Sequence, residues 1–419
     1  MKLSKLEGEY FRGFAKLSLE FDPSLTVLVG VNGSGKTSIL ECLSILLSQL
    51  PSQIGATGSR RFSDSDIHAG VHFACATLSA SILGEQVSWT LAHNRKGYPS
   101  QATSHLQELK RLAARVQQQN KVGAWNLPLA MYYPVNRAIL EPPQRIKVRH
   151  EFSELSSYDG ALSGGSANFR LFFEWFRERE DLENEHNARH PKDHRSDPQL
   201  AAVRKAIESM LPGFSDLHIQ RKPHRMVLSK NGHVLELNQL SDGEKCLLAM
   251  VGDLARRLAL ANPASSNPLS TEAVVLIDEI ELHLHPAWQR SCVRLLRSTF
   301  PGCQFILTTH SPQVLSEVPA SAVRLLDGFQ LYRPDAQTLG RDSNAILSEV
   351  MGTAERPELQ KQQIHTIAQL IDEGELGRAR DELEKLAESV SDRDSDVVRL
   401  RSTLRFLELP SDAHDPQRQ

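Results

Sequence analysis

The sequence predicts an α/β fold: a mixed sheet, a helical insertion and a C-terminal helical bundle. Three observations predict it. Short aliphatic runs at 25–29, 274–277 and 303–307 have the length and composition of strands buried on both faces. The first of them feeds a glycine-rich turn, after which Ile39, Leu40, Leu43, Ile45, Leu46 and Leu47 recur with helical spacing. Beyond about residue 340, three apolar stripes mark successive amphipathic helices.

At the start of the chain, Leu3, Leu6, Tyr10, Phe11, Phe14, Leu17, Leu19 and Phe21 alternate as in a hairpin at a sheet edge. Asp22-Pro23-Ser24 then turns the chain into the first buried run. The turn that follows, Gly30-Val31-Asn32-Gly33-Ser34-Gly35-Lys36-Thr37, is a complete GxxxxGK[ST] loop in the strand-to-helix setting that the motif requires. Such a loop holds phosphate because successive backbone N–H groups and a helix N-terminus face one anion, and glycines let the main chain come close. Asn32, Gly33, Ser34, Gly35, Lys36, Thr37 and Ser38 are therefore the expected nucleotide-binding residues. Lys36 is expected to neutralise the β- and γ-phosphates of ATP, and the Thr37 hydroxyl to ligate Mg²⁺. Residues 71–83 and 86–91 read as further strands.

Far downstream, the 274–277 strand delivers Asp278-Glu279 at its C-terminal edge, where ligands bind in open α/β sheets. Asp278 is the expected Mg²⁺ residue. Glu279 is the expected general base that orients and activates water. The next strand ends in Thr308-Thr309-His310, which makes His310 a candidate γ-phosphate sensor.

In this order, with Leu240-Ser241-Asp242-Gly243-Glu244-Lys245 placed before the acidic pair, the motifs resemble the ABC-type ATPase head of the SMC/RecF superfamily. The run from Asp278 through Glu281, His283, His285 and Pro286 to Trp288-Gln289 is similar to the overcoming-lysogenisation-defect and PtuA-like ATPases of bacterial antiphage defence. The resemblance covers residues 1 to about 330 through motifs and, more loosely, the C-terminal helices. It implies that Ser241 and Gly243 close over the γ-phosphate held by a second head, so that hydrolysis needs a homodimer or a higher even oligomer. It further implies that Glu281 and His285 line the dimer seam, and that an effector nuclease encoded nearby, of HNH type, is the partner. The opening sheet of such heads flanks the nucleotide base. Arg12 is thus either a phosphate- or adenine-side residue or a surface arginine beside a core phenylalanine.

The sequence departs from the pattern in two places. Asp242 stands where transporter-type heads carry glycine; it either turns outward or, as favoured here, caps a helix spanning roughly 246–260. The usual glutamine between phosphate loop and signature is not evident; Asp66 is either its Mg²⁺-facing substitute or a surface aspartate.

Composition fits a soluble globular enzyme: 40% hydrophobic and 24% charged residues in 419. Five cysteines without CxxC spacing read as reduced core thiols, which predicts a cytoplasmic protein. No apolar run approaches the ~20 residues of a membrane span, so no membrane role is expected. The formal charge of −3 gives no global pull on a polyanion. Local clusters at Arg60-Arg61, at Arg145, Lys147 and Arg149, and at Arg221, Lys222 and Arg225 keep nucleic acid possible, as solvated faces or as a groove.

Five regions follow. Residues 1–99 carry the phosphate loop, 100–235 an inserted helical and stranded arm, 236–340 the signature, acidic pair and His310, 341–408 a helical docking domain, and 409–419 a disordered tail. Within the insertion, Met131-Tyr132-Tyr133 reads as a buried strand, with Asn136 and Arg137 either tying down the next loop or facing the nucleotide or dimer seam. Residues 183–194 read as a solvated loop, because Pro191 interrupts the helix on which His186 and His190 would share a metal. In the last helices Ile364, Ile367, Leu370 and Ile371, then Leu376, Ala379, Leu383, Leu386 and Val390, then Val397, Leu400, Leu404 and Leu407 form stripes that pack on one another or dock a partner. The expected function is an ATP-hydrolysing head that dimerises around ATP and regulates a partner effector. The alternatives are a RecF-like clamp that grips duplex DNA itself and an ATP-gated scaffold with negligible turnover.

Overall fold

In the computed structural model, residues 1–120, 127–136, 152–163, 169–222 and 224–408 are described. The chain divides into two compact units, Met1–Ile346 and Leu347–Gln419.

In the first unit, a six-stranded sheet has the order β13 (Gln330–Tyr332), β12 (Val323–Asp327), β3 (Leu25–Gly30), β11 (Cys303–Thr309), β10 (Ala273–Ile277) and β6 (Leu129–Tyr133). All pairings are parallel except that of β12 with β13. Strands β6, β10 and β11 are buried at every residue, as continuous aliphatic runs in a parallel sheet require. The phosphate-loop strand β3 lies between β12 and β11. Its C-terminal end, where the loop begins, therefore sits beside the ends of the strands that carry Thr309 and Asp278.

The predicted N-terminal hairpin is present as β1 (Lys2–Phe11) and β2 (Phe14–Glu20). It belongs to a separate antiparallel sheet with β4 (Phe73–Ile82) and β5 (Glu85–Asn94), in the order β2-β1-β4-β5. Alternating burial along β4 marks one face as core. A third sheet, β7 (Phe214–Arg221), β8 (His224–Lys230) and β9 (His233–Glu236), forms a meander.

Helix α1 (Lys36–Leu47) follows the phosphate loop, α2 (Gln49–Ile54) continues it, and α3 (Gln107–Asn120), α4 (Phe169–Arg189) and α5 (Pro198–Met210) fall in the predicted insertion. That insertion is not all arm, because β6 pairs with β10 at the edge of the six-stranded sheet. An apolar pentapeptide buried on both faces is worth more inside that sheet than outside it. The expected loop at 183–194 is helical as far as Arg189, because α4 keeps its main-chain bonds until the chain nears Pro191. His186 and His190 stack with centroids 4.6 Å apart. Among the described residues no group of three or more His, Cys, Asp or Glu is placed to hold a metal ion.

Helix α6 (Asp242–Ala261) carries the signature at its start and is buried at nearly every position. Helices α7 (Pro286–Thr299), α8 (Pro312–Leu315) and α9 (Ser343–Glu349) follow. Among the described residues no helix is long and apolar enough to cross a membrane.

In the second unit, α10 (Glu358–Asp372), α11 (Leu376–Val390) and α12 (Ser395–Leu407) bury Ile367, Leu370, Ile371, Ala379, Leu383, Leu386, Val397, Leu400 and Leu404 against one another. The stripes pack together; Leu407 is the exception and is exposed. Arg356 holds Asp394 through two 2.9 Å hydrogen bonds, and Asp394 also caps α12. The tail, 409–419, lies outside the described residues.

Candidate nucleotide site

Gly35 precedes α1 in the left-handed conformation, φ 104°, and a Cβ there would lie 2.6 Å from the ring of Phe14. No side chain caps α1, and its first turn carries no acidic residue, so its leading N–H groups remain available to an anion. By contrast α5, α6, α7, α8 and α12 are all capped by a side chain. Ser34 Oγ is buried without a hydrogen-bond partner, and its neighbour Val31 is exposed at the loop tip. An unsatisfied hydroxyl beside an uncapped helix N-terminus fits a phosphate.

Lys36 is buried, and its Nζ donates to the carbonyls of Gly30 (2.8 Å) and Val31 (3.0 Å). Burial lowers its pKa, and the nearby Asp278, Glu279 and Glu281 carboxylates oppose that shift. Thr37 Oγ1 donates to Asp278 Oδ2 at 2.8 Å, while Thr308 Oγ1 donates to Asp278 Oδ1 at 2.5 Å. Two hard oxygen donors brought together from α1 and β10 suit Mg²⁺, which prefers a carboxylate and a hydroxyl beside phosphate oxygens.

Thr308 also accepts the N–H of Glu279 at 2.7 Å. Glu279 sits at φ 45°, a left-handed conformation that few non-glycine residues adopt and that clusters at functional sites. The Glu281 Oε1 accepts the backbone N–H of His310 at 2.5 Å, joining the acidic loop to the end of β11. Burial and Lys36 both lower the His310 pKa, outweighing Glu281, Glu279 and Asp278, so the imidazole is neutral near pH 7.

The structure thus brings Lys36, Thr37, Asp278, Glu279 and His310 to one edge of the six-stranded sheet. Asp66 and Arg12 are placed otherwise. Asp66 Oδ1 accepts from Arg12 Nε at 2.9 Å, and Oδ2 accepts from the N–H and hydroxyl of Ser63 at 2.9 and 2.8 Å. One oxygen thus closes the capped 3₁₀ turn of residues 64–66 and the other pairs with Arg12. Arg12 is held by Asp66 and Glu41, with its own backbone at φ 49°, and this pairing fixes the hairpin turn against α1.

Ser241, rather than Asp242, caps α6, and the helix starts at 242. Ser241 Oγ accepts the Glu244 N–H at 3.4 Å while Glu244 Oε2 accepts the Ser241 N–H at 2.9 Å, a reciprocal capping box. Asp242, 81% exposed at its side chain, turns outward toward Lys245. Lys230 on β8 donates to Glu244 at 2.6 Å. A Cβ on Gly243 would lie 2.2 Å from the His283 carbonyl oxygen, so glycine here lets the signature turn pack against the loop after the acidic pair. Among the described residues, neither Ser241 nor Gly243 hydrogen-bonds residues 30–38 of the same chain.

Sequence reasoning missed Glu41, the bonds of Thr308 to Asp278 and Glu279, and the Glu281–His310 tie. Thr308 alone carried a signal, because a polar residue ending a buried strand needs a partner. Asn136 is exposed; Arg137, Arg145, Lys147 and Arg149 lie outside the described residues.

A family model described as an AAA domain matches residues 5–212, and a second AAA-domain model, whose description also carries "AbiEii toxin, Type IV TA system", matches residues 147–316. The "Retron Ec83 probable ATPase" of Escherichia coli is 30% identical, with the alignment covering 85% of this chain and 77% of the relative. The "Septu protein PtuA" of Bacillus thuringiensis is 25% identical over 85% of each chain. The solved SMC head domain from Thermotoga maritima superposes with TM-score 0.45 at 16% identity, covering 80% of this chain and 100% of that one. The loop, acidic pair and histidine thus stand in a chain that aligns with a retron probable ATPase along most of both lengths, and the chain belongs to the family of these retron ATPases of antiphage defence.

Proposed function

We propose that this chain binds and hydrolyses Mg²⁺·ATP, that two copies close around the nucleotide, and that closure regulates a separate effector in antiphage defence. The observation that carries this reading is the meeting of Lys36, Thr37, Asp278, Glu279 and His310 at one sheet edge, while Ser241 and Gly243 stand at the start of another helix and make no hydrogen bond to the loop. In this reading Ser241 and Gly243 act on the nucleotide held by a second copy.

In this reading the amides of residues 33–37 and the Lys36 ammonium bind the phosphates. Thr37 and Asp278 would hold Mg²⁺, which offsets charge on the β- and γ-phosphates when bound. Glu279 orients a water, takes its proton as the oxygen bonds to the γ-phosphorus, and the bond to the ADP oxygen breaks, giving ADP and phosphate. His310 donates a hydrogen bond to a γ-phosphate oxygen. The effector in this reading is an HNH-type nuclease encoded nearby, as the resemblance to PtuA-like ATPases implies.

Turnover per chain should rise with protein concentration, and Glu279→Gln should lower it by about 100-fold or more while ATP still drives pairing. Sedimentation with and without ATP, beside phosphate release, tests both. A monomer under every nucleotide condition, with concentration-independent turnover, refutes the paired site; unchanged turnover in Glu279→Gln refutes the assigned base.

A further inference from the structure

A buried polar chain links the phosphate site to the signature helix through a single tyrosine. Tyr133 ends β6 and is 3% exposed. Its carbonyl accepts the N–H of Asp278 at 2.9 Å, and its hydroxyl donates to Asp253 Oδ2 on α6 at 3.0 Å. Asp253 also accepts from Arg256 Nη2 at 2.8 Å and from Arg257 Nε at 2.7 Å, and Arg257 Nη1 reaches the Ser157 carbonyl at 2.7 Å. At the other end, Asp278 accepts the Thr37 hydroxyl. One route thus runs from the first turn of α1 through Asp278 and Tyr133 to α6.

The composition of this chain is unusual for a purely structural core. Asp253, Arg256 and Arg257 are 2%, 1% and 3% exposed, and together they bury one net positive charge. Arg256 Nε is buried with no acceptor. Apolar residues of similar volume commonly serve stability as well as a buried ion cluster does, and an orphaned donor is a standing cost. A cluster of this kind instead fixes register, and the register set here is that of α6 against the end of β6. Burial, with Asp253 second, holds the Tyr133 hydroxyl protonated, so it is a donor at every working pH. Asp253 lies 12 positions after the Ser241 cap, about 18 Å along the helix, so a small turn of α6 about this anchor moves the signature end.

We propose that Tyr133 is a positioning residue that couples nucleotide held at a chain's own Thr37–Asp278 pair to the attitude of α6, and thereby to how that chain presents Ser241 and Gly243 to a second copy. This rests on the paired-head reading above. Loading one site then prepares the other, and turnover is cooperative in ATP.

The test uses the full chain. Tyr133→Phe deletes one hydroxyl; Tyr158→Phe is its control, since Tyr158 is equally buried and donates only to the Pro128 carbonyl at 3.1 Å. Affinity for a fluorescent ATP analogue, ATP-driven pairing and phosphate release are measured for both. Tyr133→Phe should keep its ATP affinity within about twofold and lose about tenfold in turnover, with a Hill coefficient falling toward 1, whereas Tyr158→Phe should keep turnover and cooperativity. Equal behaviour of the two variants, or a Tyr133→Phe defect confined to ATP affinity, overturns the proposal. A wild-type chain that never pairs defeats the paired-head reading itself, and is seen before any variant is made. If Tyr133→Phe does not fold, amide exchange of the wild-type chain decides: at a monomeric concentration, a non-hydrolysable ATP analogue should slow exchange at 242–250, and unchanged exchange overturns the coupling.

Discussion

At the level of single residues, glycine 243 is constrained within its own chain as well as by any role across a dimer. The His283 carbonyl oxygen stands 2.2 Å from where its Cβ would be, and this oxygen belongs to a backbone at φ 62° that has little freedom to retreat. Gly243→Ala must therefore lift the signature turn from the loop that follows Glu279. The expected result is a loss of about 1–3 kcal/mol in unfolding free energy without nucleotide, together with loss of turnover. Urea unfolding of the nucleotide-free chain checks it. Unchanged stability with lost turnover would assign this glycine to the partner's phosphate alone. The phosphate loop and acidic pair were legible as residues because their chemistry needs a fixed local spacing. The pairing of Asp66 with Arg12 was not, because it spans 54 positions and includes a third partner, Glu41, that no local pattern marks.

Among elements, the strands were the most readable, since β3, β10 and β11 are continuous aliphatic runs that only a two-sided burial explains. Strand β6 was legible as a buried strand and illegible as a sheet member, because its neighbour β10 lies some 140 positions away and pairing over such separations leaves no local trace. Helix α6 was read four residues short, since Ser241 and Asp242 are both good capping residues and only the reciprocal bond from Glu244 separates them. Deep within the same helix, the Asp253 carboxyl is pushed up by burial, but Arg257 and Arg256 more than reverse this and hold it at about 2. A carboxyl lowered in the folded chain adds stability above its unfolded value of about 3.9 and loses it as pH falls through its folded value. The wild-type chain should thus lose on the order of 2 kcal/mol from this group between about pH 5 and pH 2. Asp253→Asn, less stable at pH 7, should lack that part of the acid slope when urea midpoints are compared across this range. Identical slopes would mean that the carboxyl is not paired as described.

For the whole molecule, the distribution of charge bears on what the head can grip. The formal net charge is −3, and the basic clusters within the described residues are largely spent internally. Arg60 donates to Ser44 and the Leu162 carbonyl, Arg221 pairs with Glu180 and Asp181, and Arg225 pairs with Glu236. A protein that neutralises six to ten phosphates loses about 10³–10⁵ in affinity between 50 and 200 mM salt. Such a footprint needs a row of unpaired lysines and arginines, and these arginines do not supply one. The expectation is weak duplex binding with a shallow salt dependence, equivalent to about two phosphate contacts or fewer, measured by fluorescence anisotropy of a labelled duplex with and without ATP. Neutralising Arg145, Lys147 and Arg149 together tests the remaining basic cluster of the sequence. Tight binding with a steep salt slope that this triple variant abolishes would instead make the chain itself a DNA clamp of the RecF kind, with the effector no longer needed to explain what closure accomplishes.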